Sequence, residues 1–366
     1  MTAAPLRALH VNTNAELGGG ERQVLALVAG SRARGVDARL LALESGPLLA
    51  AARAAGLDAE PLKLGARLSL PAVARIAKAL RDGAFDVIHL HDGVAATLGI
   101  AATRLERVPA IVHRRIASAL RRGLFSRWKY APKRVARFIA VSQEVAAVLR
   151  AAGIPPPKIA VVPSGVDLRR LDGLARAAAP RAGDGPRLGP RLGTVAKLAP
   201  KKGVDVVLEA FARIAREIPE ARLLVVGEGP EEAALRAKAT GLGLEGRAVF
   251  TGSRSDVPAI VAGLDLFLFG SEREGSPGAV REAMALRVPV VAAAAPGTVE
   301  VLASTGVVVP RGDPAAMAAA ALDLLRDRAR ADALREAARA RVAAEFSIDA
   351  MVDRTLAVAC EVVARS

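Results

Sequence analysis

The chain has 366 residues, 52% of them hydrophobic, one cysteine (Cys360) and a formal net charge of +15. That length accommodates two domains of roughly 150 to 200 residues, and the lone cysteine excludes internal disulfides. No run approaches the ~20 apolar residues of a bilayer span and no basic-then-apolar leader opens the chain, so a cytoplasmic protein is expected. The charge implies anionic partners, but aromatic residues are only 3% of the chain and no reading helix or stacking platform is present, which sets nucleic acid aside.

In chain order, Leu6 to Val11 reads as a strand that runs into Asn12 to Arg22, where Gly18, Gly19 and Gly20 precede an apolar-periodic helix. Glycines there let backbone amides approach an anion closely, although a purely conformational turn reads the same way. Strands follow at Val87 to Leu90, Ala110 to Val112 and Phe138 to Val141. His10 in the first strand reads as structural. His89 and His91 share one face of their strand, with His91 nearer its carboxyl end, and His113 ends the next strand. The His-Leu-His pair has no accompanying carboxylate or cysteine that stands out as a third ligand, so no metal is expected.

Between Glu106 and Glu144 there is no acid, while arginines and lysines crowd the stretch from Arg114 to Arg137. Two readings stay open for it. Leu120, Leu124, Phe125 and Trp128 recur at helical spacing, which suits an amphipathic helix against an anionic membrane surface; a solvated basic face with its aromatics packed inward fits equally. Asp172 to Pro190, rich in Gly, Pro and Arg without periodicity, suits an interdomain linker.

The second half repeats the alternation, with strands at Leu192 to Ala196, Leu223 to Val226, Ala248 to Phe250, Leu264 to Phe269, Val288 to Ala292 and Val307 to Val309, and only helix after Asp313. The expected fold is α/β: two Rossmann-like, doubly wound parallel-sheet domains facing a central cleft. Lys197 ends one strand and Lys202 precedes a helix, a pair suited to a diphosphate, whereas Lys201 reads as a surface charge. Gly227 lies in a turn that begins like a dinucleotide fingerprint but has Glu232 where the third glycine would stand. Arg254 sits in a loop that either flanks a nucleotide base or is an ordinary connection.

Ser271 to Glu282 reads as a strand-loop-helix junction, with Ser276 as N-cap and Pro277 at the first helical position. The amides of Gly278 and Ala279 then face outward at the positive helix end, where a diphosphate is favoured, and the carboxylates of Glu274 and Glu282 suit sugar hydroxyls. The chain has neither Asp-x-Asp nor a Walker loop.

Together these segments resemble the family 4 retaining glycosyltransferases of GT-B fold over nearly the whole chain. The likeness is carried by Glu274-x7-Glu282 inside Glu-Gly-Ser-Pro-x-x-Val-x-Glu-Ala-Met-Ala, by Gly18-Gly-x-Glu-Arg22, by Asp86-Val-Ile-His-Leu-His91, by Ala140-Val-Ser142 and by Pro163-Ser-Gly-Val-Asp167. The resemblance implies an acceptor domain at 1–175, with the C-terminal helix 346–366 packing back on it, a linker at 176–190 and a donor domain at 191–345. It implies catalytic roles for His113 and Glu274. The donor would be held by Gly18, Gly19, Lys197, Lys202, Gly227, Arg254, Gly275, Ser276, Gly278, Ala279, Val280 and Glu282, with Glu282 on the ribose, Glu274 on the sugar and the lysines on the diphosphate. His91, Asp92 and Arg114 would lie on the acceptor side.

The implied reaction moves a sugar from a nucleotide-diphosphate donor, a UDP- or GDP-sugar, with retention and without metal or cofactor. The acceptor would be an envelope polysaccharide, a lipopolysaccharide or a lipid-linked glycan at the inner face of the cytoplasmic membrane. Three departures stand out: Lys197 replaces an arginine, Arg287 stands where the family has a glycine, and Pro296-Gly297 offers one glycine where two are usual. A phosphorylase or nucleotide-sugar epimerase of the same fold would need a further catalytic carboxylate in the first domain, and none is identified.

Overall fold

A computed structural model of the chain describes residues 5–65, 69–118, 120, 128–177 and 189–365. The chain divides into two compact units, one of residues 1–165 with 348–366, the other of residues 166–347.

The first unit is built on a seven-stranded sheet of β1 (Arg7–Asn12), β2 (Asp37–Leu43), β3 (Ala59–Leu62), β4 (Val87–Leu90), β5 (Ala110–Arg114), β6 (Arg137–Ala140) and β7 (Ile159–Val161), in the order β3-β2-β1-β4-β5-β6-β7. The second carries six strands, β8 (Arg191–Val195), β9 (Arg222–Val226), β10 (Ala248–Gly252), β11 (Leu266–Phe269), β12 (Val290–Ala293) and β13 (Val307–Val309), in the order β10-β9-β8-β11-β12-β13. Neighbouring strands pair in parallel throughout. Strands such as β4 and β11, buried at every position, are near-continuous apolar runs because helices cover both faces. The strands anticipated from the sequence all occur, within two residues of their expected ends; β2, β3 and β7 were not anticipated.

The order reverses beside β1 and again beside β8, so the loops leaving β1 and β4, and those leaving β8 and β11, open the crevices where such sheets take ligands. The helix start after β4, and outside the crevice the one after β6, are set by short polar side chains. Asp92 caps Gly93–Glu106 through the amides of Val94 and Ala95, and Ser142 caps Gln143–Ala151 through that of Val145.

The units divide between Gly165 and Val166, earlier than the boundary expected at 175. Helix Leu168–Ala177 packs with the second unit: Leu171 is buried among Phe267 and Val280, and Asp172 takes Arg339 Nη2 at 2.8 Å. The second division lies at Ser347/Ile348. Helix Ile348–Val363 belongs to the first unit, where Val352 packs against Gly30 and Arg34 pairs with Asp349 and Asp353. Of the expected linker, residues 178–188 lie outside the described residues.

Arg287 follows helix Gly278–Ala285 with φ +57°, and its amide and that of Val288 reach back to Met284 O (3.1 Å) and Ala283 O (3.0 Å). This is the left-handed helix ending that glycine ordinarily occupies, and a side chain there costs about 1 kcal/mol. Its ion pair with Glu336 is exposed on both sides and worth ~0–1 kcal/mol. Arg287→Gly is therefore expected to raise the urea-unfolding stability of the second unit by about 0.5 kcal/mol. A lower midpoint in the variant would contradict the strain.

Candidate functional site

In the second unit the loops leaving β8 and β11 lie in direct backbone contact. Gly203 (φ +64°) begins helix Val204–Glu217, and a Cβ on it would stand 2.0 Å from Gly270 O; one on Gly270 would stand 2.1 Å from Gly203 O. Only glycine at both positions lets the loops approach this closely. That approach brings Lys202 Nζ to 2.8 Å from Glu274 Oε1. Ser271, fully buried, sets its Oγ 2.9 Å from the same carboxylate oxygen and 3.2 Å from Lys201 O. The Gly297 amide donates to Glu274 O at 3.0 Å, so the loop is held at its backbone as well. Two residues expected to meet different parts of a ligand, Lys202 and Glu274, are thus partners of one another. Ser271 was not singled out from sequence.

The helix after this loop begins one residue later than expected. Pro277 (φ −68°, ψ 114°) is the N-cap and Gly278 the first helical residue, so Ser276 does not cap and the proline is not inside the helix. No side chain caps the start, and the amides of Gly278, Ala279 and Val280 lack intrahelical acceptors. Gly278 is exposed, while the Val280 side chain is core. Glu282, one turn on from Gly278, is half-buried. Its neighbour Arg281 is buried, with Nε 3.4 Å from Pro277 O and Nη2 3.5 Å from Ser276 O. Desolvation pulls its guanidinium down to about 10, against the opposing pull of Glu282.

Lys197 is exposed at the end of β8. Gly227 (φ +131°) lies on Ala196, whose carbonyl oxygen would be 2.0 Å from an added Cβ, so close backbone approach accounts for that glycine. Arg254 forks onto Asp256 of its own turn, with both contacts at 2.8 Å.

In the first unit the glycine loop is organised by Glu21. Its carboxylate accepts the Gly18 amide at 3.0 Å and also bonds the Asn14 side chain. Gly19 has open space where a side chain would be. Asp92, expected on the acceptor side, also bonds the Thr13 amide (2.6 Å) and hydroxyl (2.7 Å), so it ties β1's loop to β4's. Arg114 turns into the wall, bonding Ser118 O and lying 3.4 Å from Tyr130 Oη. The next residue, Arg115, reaches His91 instead, with Nη1 3.2 Å from its carbonyl and Nη2 3.2 Å from Nδ1. Consecutive residues leave a strand on opposite faces, a signal that separates Arg115 from Arg114.

All four histidines gather in one buried column. His10 stacks on His89 (4.6 Å between ring centroids) and His91 lies beside His113 (4.4 Å). His10 Nδ1 is 3.0 Å from His91 Nε2, and His89 Nδ1 is 2.9 Å from His113 Nε2. Burial holds the rings neutral. It pulls His89 down to about 3 and the other three well below their usual value, helped by neighbouring rings and Arg115. His10, read as structural from sequence, is part of the same column as His91 and His113. Among the described residues no group of three or more His, Cys, Asp or Glu is disposed to hold a metal ion.

Of the basic segment, residues 119 and 121–127 lie outside the described residues, including Arg121, Arg122, Leu124, Phe125 and Arg127. Leu120 and Trp128 pack inward on the first unit's core, and Arg134 stacks over Trp128 at 4.9 Å. No described helix is long and apolar enough to cross a membrane.

The family model "Glycosyltransferase Family 4" matches residues 17–170, and "Glycosyl transferases group 1" matches residues 189–327. The chain is 31% identical over 337 residues to the phosphatidyl-myo-inositol mannosyltransferase of Mycobacterium leprae, covering 87% of this chain and 86% of that one. It is 34% identical over 155 residues to the N-acetyl-alpha-D-glucosaminyl L-malate synthase of Bacillus anthracis, a match spanning 42% of this chain and 40% of that protein. Anabaena HepE in complex with UDP superposes with a TM-score of 0.84 at 22% identity, over 97% of this chain and all of that one; the likeness establishes the GT-B fold.

Proposed function

The chain belongs to the family 4, group 1 glycosyltransferases, and we propose that it moves a sugar from a UDP- or GDP-sugar, with retention and without metal, to a glycolipid or polysaccharide acceptor. The observation that carries the reading is the second unit's loop and helix: Glu274 tied to Lys202 at 2.8 Å, uncapped amides at Gly278 to Val280, and Glu282 one turn further. Those amides, with Lys202 and Lys197, meet the charge that grows on the departing diphosphate. Glu282 holds the ribose hydroxyls and Glu274 the donor sugar, so the sugar enters by sharing or displacing the Lys202 contact.

The acceptor oxygen bonds the anomeric carbon on the face the diphosphate leaves, the carbon–phosphate oxygen bond breaks, and the hydroxyl proton passes to the departing phosphate. His113, from the first unit, serves the acceptor side, and His91, with both ring nitrogens bonded, to His10 and Arg115, packs against it. UDP in the HepE complex and the lipid acceptor of the mycobacterial relative support the two substrate classes. Acceptors of that kind lie on a membrane, and we assign the basic stretch that follows the buried Arg114, through Arg137, to its anionic surface. Sedimentation with anionic vesicles, unchanged on replacing Arg121, Arg122 and Arg127, would remove that part.

Incubation with UDP- and GDP-sugars, reading nucleoside diphosphate release, tests the reaction. Glu282→Ala is expected to lower kcat/KM at least 100-fold, about 3 kcal/mol, with an unchanged melting temperature. Turnover within threefold of the parent chain would sink the ribose assignment.

A further inference from the structure

The histidine column has two halves with different logic. Arg115 only donates, so His91 Nδ1, 3.2 Å from its Nη2, must accept. The His91 proton therefore sits on Nε2 and is donated to His10 Nδ1 at 3.0 Å, which leaves the His10 proton on an Nε2 that is buried without a partner. That half ends inside the sheet. The other half joins β4 to β5 through His89 Nδ1 and His113 Nε2 at 2.9 Å, both rings buried and neutral. One proton lies between those two nitrogens, so the rings carry the same tautomer, both Nδ1–H or both Nε2–H. His113 then has a single nitrogen, Nδ1, left for anything outside the column.

We propose that His89 is a positioning residue for His113: through this bond it orients the ring and ties the tautomer His113 offers to substrate at Nδ1 to its own. The inference rests on the reading that His113 acts beside the reacting atoms. A neutral imidazole that turned over or exchanged tautomers would present Nδ1 as donor part of the time and as acceptor the rest, and part of the enzyme would be silent at any instant. His10 packs as closely on His89 as His113 does but makes no bond to His113, so the two kinds of contact can be separated by substitution.

The chain's four histidines make the measurement direct. In protein labelled with 15N-histidine, long-range proton–nitrogen spectra read each tautomer; His89 and His113 are expected to show one tautomer each, of the same kind. In His89→Leu, His113 is expected to average between tautomers, with kcat down 10- to 100-fold and the donor KM within twofold. His89→Asn, which returns an amide near the lost Nδ1, should recover at least a third of kcat, and His10→Asn should keep the parent value. Unlike tautomers in the parent protein overturn the proposal even if the leucine variant fails to fold, and so does equal damage from His10→Asn. His113→Ala impaired with His89→Leu unimpaired overturns the positioning role alone, whereas His113→Ala at full turnover overturns the reading of His113 as well.

Discussion

A Gly297→Ala chain is expected to release nucleoside diphosphate at least 100-fold more slowly than the parent, while the first unit unfolds at an unchanged temperature. The alanine conformation is not the obstacle, because Gly297 lies in the first turn of helix Pro296–Leu302, where any residue is accommodated. The obstacle is volume. An added Cβ would stand 2.1 Å from Glu274 O and 2.6 Å from both the carbonyl carbon and oxygen of Gly275, far inside van der Waals contact. The loop must retreat by about 1 Å, and the 3.0 Å bond from the Gly297 amide to Glu274 O is lost as it does. Because the Glu274 carboxylate is tied to Lys202 and Ser271, backbone retreat drags the carboxylate from the position those residues define. A displacement of that size at reacting groups costs about 100-fold in rate, some 3 kcal/mol of barrier, with a further 1–3 kcal/mol of local overpacking. Turnover of Gly297→Ala within threefold of the parent would mean that the Glu274 loop does not touch the sugar being transferred.

Acidification is expected to unfold the first unit and leave the second folded. Each buried imidazole is neutral in the folded chain and takes a proton near pH 6.5 in the unfolded one, so below that pH the unfolded state binds more protons and stability falls with pH. The loss begins near 6.5 and continues down to the folded-state values, about 3 for His89. Four such groups remove about 5 kcal/mol between pH 7.5 and 5.5, comparable to the whole stability of a domain. The second unit contains no histidine. Trp128, the chain's one tryptophan, lies in the first unit against its core, so its emission reports that unit alone. A red shift with a midpoint near pH 5 is expected, shallower in His10→Asn; a flat trace down to pH 4 would show that the column tolerates protons.

The sheet architecture was readable from sequence because strands buried on both faces are unbroken apolar runs. β2, Asp-Ala-Arg-Leu-Leu-Ala-Leu, escaped because alanine, leucine and arginine are strong helix formers, and its strand state comes from pairing with β1 and β3. β3 has four residues including a proline, and β7 has three, too short for a period to declare itself. In the candidate site, Gly18, Lys202, Glu274 and Glu282 were singled out by residue type and spacing. Their mutual geometry was not, since the Lys202–Glu274 pair is created by Gly203 meeting Gly270, residues far apart in sequence. The sequence did not show that Arg114 turns into the wall while Arg115 turns to His91, and taking Ser276 as the cap ignored that Pro277 can itself hold the extended backbone a cap requires.

Helix Ile348–Val363 completes the first unit, yet it is separated from the rest of that unit by residues 166–347. On the ribosome, at about 5–20 residues per second, those intervening residues take roughly 10–40 s to emerge. Through that interval helix Gly19–Ala33 stands without the face it will pack against, Val352 absent from Gly30 and Arg34 without its two aspartates. The second unit is the first that can finish folding, although it is encoded later, and the order of synthesis is inverted in the order of assembly.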